Sequence, residues 1–357
     1  MRDGIIEKTI ASIRELDPCS MKLAQQRVDS LTKPRGSLGV LEKIAVRLAG
    51  IYRGQPDLGA KTVIVMAGDH GIAGEGVSAY PQEVTGQMMR NFLSGGAAIN
   101  VLARSTGAKV VVVDMGIIEE LTPQEGLFIH KIKPGTGNIA EGPAMTREEA
   151  VAAIEAGIEE AEREIGRGSR VLAIGEMGIG NTSPSAAIMS VFSGAEVEKV
   201  VGKGTGVQGE AFEKKVRLVS KAIEVNKPNP KDPLDVLSKV GGLEIGGMAG
   251  VILGAAAAGV PVVVDGYVSG AAAMVAIELA HLSKPYLFFS HLSAEAGHKT
   301  MLQWLGIEPL LHLDMRLGEG TGAVLLFPLI DAAVRIYQEM ATFEEAAVSE
   351  LESGKGS

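Results

Sequence analysis

The stretch Lys61-Thr-Val-Ile-Val-Met-Ala-Gly-Asp-His-Gly71 decides the fold. Its unbroken, β-branched apolar centre reads as a strand covered on both faces, and it stops at a polar glycine turn. The same grammar recurs at Lys109–Met115, Arg170–Ile174, Val260–Asp265, Tyr286–Ser290 and Leu310–Leu313, with Ala-rich helical stretches between. Strands of this kind alternating with helices give an α/β fold, a mostly parallel sheet flanked by helices in the Rossmann-like manner. Nearly every strand ends in a polar or glycine cluster: Gly68–Gly71, Asp114-Met-Gly116, Gly175-Glu-Met-Gly178, Asp265-Gly266, Ser290-His291 and Gly318-Glu-Gly320. In open parallel sheets the carboxyl ends of the strands form the ligand crevice, so these clusters are expected to converge.

Upstream, Ile5 to Leu16 has the spacing of an amphipathic helix, and Gln25 to Ala49 reads as helix on either side of a break at Lys33-Pro-Arg-Gly-Ser-Leu-Gly39. Downstream, Met340 to Ser357 reads as a Glu- and Ala-rich helix that frays at its end. Ile245 to Val264 carries no charge and has the length of a membrane span. Gly246, Gly250 and Gly254 lie along one helical face, however, and Pro261 precedes Val262-Val-Val264. A small-faced helix packed on a sheet, followed by a buried strand, is the expected arrangement.

Composition removes whole classes of function. The formal net charge is −9 and no basic cluster occurs, which excludes the concentrated Lys and Arg that nucleic acid requires. The lone Cys19 cannot form an intrachain disulfide, and the amino terminus lacks the apolar core of a signal peptide, so a cytoplasmic setting is expected.

Three stretches carry candidate chemistry. Glu319 lies in Met315-Arg-Leu-Gly-Glu-Gly-Thr-Gly322 between two apolar runs, with Gly318 and Gly320 leaving its carboxylate approachable. Such a carboxylate is a candidate general base, or simply a helix N-terminal acid. Gly175-Glu-Met-Gly-Ile-Gly-Asn-Thr182 follows a strand, and Ser183-Pro184 has the form of an N-cap and first helical residue. Strand, glycine loop and helix start together make either an anion cradle through Gly178, Gly180, Asn181 and Thr182 or a tight βα turn. Glu176 would repel a phosphate, and suits a ribose hydroxyl or the ordering of the loop. Gly202-Lys-Gly-Thr-Gly206 is a second glycine turn, where Lys203, Gly204, Thr205 and Gly206 either offer a phosphate a cation and donors or form an exposed surface turn.

Other groups are less specific. Asp69 and His70 are acid/base or metal candidates, but with His291, Glu295 and His298 as supporting ligands no spacing is diagnostic. Ser78, Tyr80 and Gln87 suit the wall of a pocket for a flat heteroaromatic ligand. His291, beside Ser290, is read either as a phosphate or sugar ligand or as a backbone cap.

Taken together, Ala67–Gly71, Val77-Ser-Ala-Tyr-Pro81, Asn91–Asn100, Gly175–Thr182, Ser290–Gly297 and Met315–Gly322 resemble the nicotinate-nucleotide–dimethylbenzimidazole phosphoribosyltransferase family, over Lys33 to about Pro328. The resemblance implies transfer of phosphoribose from nicotinate mononucleotide to 5,6-dimethylbenzimidazole, a homodimer, and neither metal nor other cofactor. It further implies a small helical domain from residues 1–55 and 331–357 around an α/β catalytic domain of residues 56–330. On the family's pattern Glu319 is the base, the glycine loops with Ser290 and His291 hold the nucleotide, and Ser78, Tyr80, Gln87, Met177 and Leu317 border the base pocket. A following helix N-terminus would lower the pKa of Glu319, and the chemistry needs no large upward shift. Two rivals stay open: a nucleotide-dependent oxidoreductase, which lacks its dinucleotide fingerprint here, and a non-catalytic nucleotide- or corrinoid-binding module.

Overall fold

The computed structural model describes residues 4–57 and 59–349. The chain divides into two compact units, Met1–Arg14 with Gly59–Leu326, and Glu15–Leu58 with Phe327–Ser357. The helix Ile5–Ser12 therefore belongs with the larger unit, whereas the sequence boundaries had grouped it with residues up to 55.

The larger unit holds one six-stranded sheet: β1 Ala60–Gly68, β2 Lys109–Gly116, β3 Leu127–Ile129, β4 Ser169–Met177, β5 Val262–Val264 and β6 Leu287–Phe289. Their order is β3-β2-β1-β4-β5-β6, and every neighbouring pair is parallel. The parallel α/β fold expected from the sequence is thus the one observed. Val63 to Ala67 in β1 are fully buried, as a strand covered by helices on both faces requires. The winding reverses between β1 and β4, where Ala67 lies opposite Met177. That is the switch point at which the carboxyl ends of neighbouring strands open a crevice.

Short elements escaped the sequence pattern. β3 has only three residues, and Leu310–Leu313 contributes not to the main sheet but to a two-stranded ribbon. There β8 (Leu311–His312) pairs with β7 (His291–Leu292). The glycine stripe of helix Leu243–Ala257 also faces elsewhere than expected. A Cβ on Gly250 would lie 2.0 Å from the Ile154 carbonyl oxygen, and Gly246 and Gly254 abut Ala153 and Ala161. The stripe therefore packs on helix Arg147–Gly166, while Gly247 faces the strands through Met66 and Met115. Among the described residues no helix is long and apolar enough to cross a membrane.

In the smaller unit, helices Pro18–Ser30 and Val40–Tyr52 flank the break at Lys33–Gly39, and Asp17 caps the first by accepting from Ser20 N at 2.8 Å. Helix Thr321–Glu339 ends before the Glu- and Ala-rich tail. Thr342 bridges to Leu31 and Ala347 takes a left-handed conformation, so residues 341–349 form turns rather than the expected helix. Residues 350–357 of that segment lie outside the described residues.

Candidate active site

Beyond the ends of β1, β4 and β5 lies a cavity of about 570 Å³, and Glu319 lines it. The loop that carries Glu319 is seated on bare backbone. A Cβ on Gly175 in β4 would lie 2.4 Å from the Glu319 carbonyl oxygen, and one on Gly320 would lie 2.7 Å from Val63 Cγ2. Gly318, Glu319 and Gly320 have φ of 88°, 62° and 85°, three successive left-handed residues of which only Glu319 bears a side chain. A non-glycine residue there costs roughly 1 kcal/mol or more, and such strain persists only where the surroundings over-determine it.

The Glu319 side chain is 6 % exposed, and its Oε2 accepts from Ile99 N at 3.3 Å, at the start of helix Ala98–Thr106. Burial pushes its carboxyl above the ordinary glutamate value, and the Ile99 bond opposes this only in part. The sequence reading had the sign reversed, because it weighed a helix N-terminus and not the desolvation of a cavity wall.

A second carboxyl, Glu176 at the end of β4, is buried against the same cavity. Burial, reinforced by Glu244, Asp265 and Glu319, raises its pKa to about 8 despite a short hydrogen bond from the Asn181 amide. It therefore holds a proton at neutral pH. That bond also explains the helix start. Helix Thr182–Ser193 begins one residue before the expected N-cap Ser183, because Asn181 takes the cap position while its side chain is drawn to Glu176. Pro184 still falls in the first turn, where its missing N–H removes no helical bond.

The first glycine loop is chiefly a tight turn. Ile179 N donates to Thr85 Oγ1 at 3.1 Å, and Asn181 N donates to Gly178 O at 3.1 Å. A Cβ on Gly178 would meet Gly68 O at 2.5 Å, and Gly180 faces Ala73 and Val77. Asn181 and Thr182 line the cavity, as does Gly178.

The buried cation of this corner is Lys215, which sequence reasoning missed. It is fully buried in helix Glu210–Asn226, and its Nζ donates to Thr182 Oγ1 at 2.8 Å and to Gly202 O at 3.0 Å. Desolvation lowers its pKa to about 8, with Glu295 acting the other way. A Cβ on Gly204 would lie 3.0 Å from Nζ, so this glycine lets the second loop close over the ammonium. Gly204 and Thr205 line the cavity, and Arg316 beside them donates to Gly204 O at 3.0 Å. Lys203 itself is exposed, and neither it nor Gly206 lines the cavity. A warning of Lys215 was present in the sequence: with Val219, Ala222 and Asn226 it occupies the buried stripe of an amphipathic helix, an unusual place for a lysine.

The apolar part of the lining is built from Tyr80, Val84, Met88, Met177, Ile179 and Leu317. Gln87 is exposed and is not part of it. Ser78 stands just outside, its hydroxyl 2.9 Å from that of Thr205. Ser290 and His291 are likewise outside the lining. Ser290 Oγ donates to Asp265 O at 3.0 Å and lies 3.1 Å from His291 Nδ1. His70 is buried 2.7 Å from Glu244 Oε1, away from the lining. Among the described residues no three His, Cys, Asp or Glu groups converge so as to hold a metal ion.

A cavity lined by a buried acid, by apolar side chains and by polar loop residues next to a buried ammonium invites comparison with known proteins. The family described as phosphoribosyltransferase matches residues 13–348. The nicotinate-nucleotide–dimethylbenzimidazole phosphoribosyltransferase of Desulforamulus reducens is 56 % identical over 347 residues, covering 97 % of this chain and 99 % of its own. That of Geobacter sp. strain M21 is 53 % identical, with the same coverage. The crystal structure of the protein of that name from Thermus thermophilus superposes with a TM-score of 0.90 at 47 % identity, over 94 % of this chain and 100 % of that one. The chain belongs to the nicotinate-nucleotide–dimethylbenzimidazole phosphoribosyltransferase family.

Proposed function

We propose that this crevice transfers phosphoribose from nicotinate mononucleotide to 5,6-dimethylbenzimidazole, yielding α-ribazole 5′-phosphate and nicotinate. The observation that carries the reading is the buried Glu319 carboxylate lining one cavity together with apolar side chains and with Thr182, Gly204 and Thr205. The apolar side chains suit a flat heteroaromatic base, and the Thr182 corner suits a phosphate, with Lys215 supplying positive potential from behind Thr182.

In the reaction one benzimidazole nitrogen forms a bond to the anomeric carbon while the bond from that carbon to the nicotinate nitrogen breaks. The bonding electrons leave with nicotinate, whose ring nitrogen begins cationic and ends neutral. Positive charge builds on the benzimidazole, and its remaining N–H becomes strongly acidic. Glu319 accepts this proton, and its burial-raised pKa makes it a better base than an exposed glutamate. Attack from the face opposite nicotinate gives the inverted, α configuration. Glu176, protonated near neutrality, serves as a donor towards a ribose hydroxyl without repelling the phosphate. Holding base and sugar in register supplies much of the remaining barrier reduction. A homodimer working in the cytoplasm completes the reading, in keeping with the family resemblance and the lone Cys19.

Incubating the protein with nicotinate mononucleotide and 5,6-dimethylbenzimidazole and separating the products by chromatography tests this. Free nicotinate in step with a coupled ribotide is expected. Intact nucleotide with tight binding would indicate a binding module instead, and a redox change on added dinucleotide would indicate an oxidoreductase.

A further inference from the structure

Asp265 takes no part in the transfer as described, yet both its carboxylate oxygens are bonded to the Glu319 loop and the helix that follows it. It follows β5 directly and is 1 % exposed. Its Oδ2 accepts from Gly320 N at 3.1 Å and its Oδ1 from Ala323 N at 3.0 Å. The first of these amides belongs to the residue after Glu319, and the second lies in the first turn of helix Thr321–Glu339. One carboxylate thus grips both the exit of the left-handed turn and the start of the helix that continues it.

Other restraints act beside this grip, among them the Ile99 N bond to the Glu319 carboxylate at 3.3 Å. Thr321 closes the turn from within, its amide and hydroxyl both donating to Gly318 O at 3.1 and 2.7 Å. Gly175 and Val63 limit it from below by contact alone. Asp265 is in turn fixed by Ser290, whose hydroxyl donates to its carbonyl, and a Cβ on Gly322 would be blocked by His291 Nδ1 and by Asp265 Oδ1. The buried Ser290-His291 pair, which does not line the cavity, therefore buttresses Asp265. Both Asp265 oxygens point at backbone amides.

We propose that Asp265 is the positioning residue of the catalytic base: its carboxylate, held by Gly320 and Ala323 amides, keeps the strained Gly318-Glu319-Gly320 turn in the one conformation that aims Glu319 into the cavity. The inference rests on the phosphoribosyl-transfer reading of this site. An amide at position 265 keeps one acceptor but sets an NH2 group against a backbone N–H, so it cannot hold both donors. The turn then relaxes towards unstrained backbone, and Glu319 loses its aim while the corner around Thr182 and Lys215 is untouched.

The test is steady-state kinetics of wild type, Asp265→Asn, Glu319→Gln and the double variant, with nicotinate mononucleotide and 5,6-dimethylbenzimidazole. Asp265→Asn is expected to lower kcat about 10- to 100-fold while KM for the nucleotide moves less than about threefold. In the Glu319→Gln background the same substitution is expected to have almost no further effect, because the residue through which it acts is gone. A kcat within threefold of wild type would overturn the inference. So would a full multiplicative loss in the double variant, or a parallel collapse of nucleotide binding. Should Asp265→Asn not fold, Asp265→Ser removes the carboxylate with room for water and is read the same way. An inactive wild type would sink the transfer reading and this inference with it, whereas an active wild type with an unimpaired Asp265→Asn sinks only the inference.

Discussion

Replacing Lys215 by methionine separates stability from binding, because the ammonium is costly to the empty protein and useful to the loaded one. Its pKa falls from 10.5 to about 8 on burial, so at neutral pH the charged form carries a penalty on the order of 3 kcal/mol. The sign follows from the depressed value: the neutral amine is favoured in the native state, so the penalty is absent above pH 10.5 and reaches its full size as pH falls through about 8. Against this, methionine leaves the half-buried Thr182 Oγ1 and the buried Gly202 O without that donor, at about 1–3 kcal/mol each. The opposing contributions nearly cancel, and Lys215→Met should shift the melting temperature of the empty protein by only a few degrees.

Nucleotide binding should respond very differently. A phosphate oxygen bonded to Thr182 would lie roughly 4.5–5 Å from Nζ, given ordinary hydrogen-bond lengths and angles. At an effective dielectric constant of about 20, a unit charge at that distance gains about 3 kcal/mol. Allowing for partial screening, KM for nicotinate mononucleotide should rise about 10- to 100-fold, and the nucleotide's stabilising effect on melting should shrink accordingly. Thermal denaturation with and without nucleotide, beside initial rates, measures both. Unchanged KM would remove Lys215 from the phosphate corner. A melting temperature lowered by more than about 10 °C would show that the ammonium is a net stabiliser of the fold.

Two further outcomes concern stability. Because Glu176 is raised from 4.5 to about 8, its contribution to native stability is fully present below pH 4.5 and is lost as pH rises through about 8. Glu176→Gln should match wild type in urea denaturation at pH 4 and exceed it at pH 9 by a few kcal/mol, since each tenfold change in proton affinity is worth about 1.4 kcal/mol; equal stability at pH 9 would refute the buried-proton assignment. Gly250→Ala, whose Cβ would lie 2.0 Å from the Ile154 carbonyl oxygen, should cost about 3 kcal/mol or more, while Gly166→Ala, with open space around it, should be neutral or better. Equal urea midpoints for the two would show that the helix pair yields freely.

The sheet was legible because strands covered on both faces advertise themselves as continuous apolar runs, as Val63 to Ala67 do. The ribbon of β7 and β8 was not, since two residues per strand carry no period. Glu319 was legible from its flanking glycines, but its environment depended on Ile99, remote in sequence. Gln87 follows from helical phase as an exposed residue outside the cavity lining. In helix Val84–Leu93, Thr85, Met89 and Phe92 face the core, so Val84 and Met88 turn to the cavity and Gln87 to solvent. Lys203 was chosen over Lys215 because it sat in a glycine motif. The buried lysine announced itself only by sitting on the wrong face of an amphipathic helix. Asp265 looked like one more polar group at a strand end, and its two amide partners lie more than fifty residues further along the chain.

The most direct measurement is single-turnover formation of the coupled ribotide by Glu319→Gln at saturating nicotinate mononucleotide and 5,6-dimethylbenzimidazole, with nucleotide affinity measured in parallel. If Glu319 takes the proton of the attacking base, the rate should drop about 10²- to 10⁴-fold while nucleotide affinity stays near that of wild type. A rate close to wild type would contradict the assignment, and the buried carboxylate would then have to be explained as a structural group.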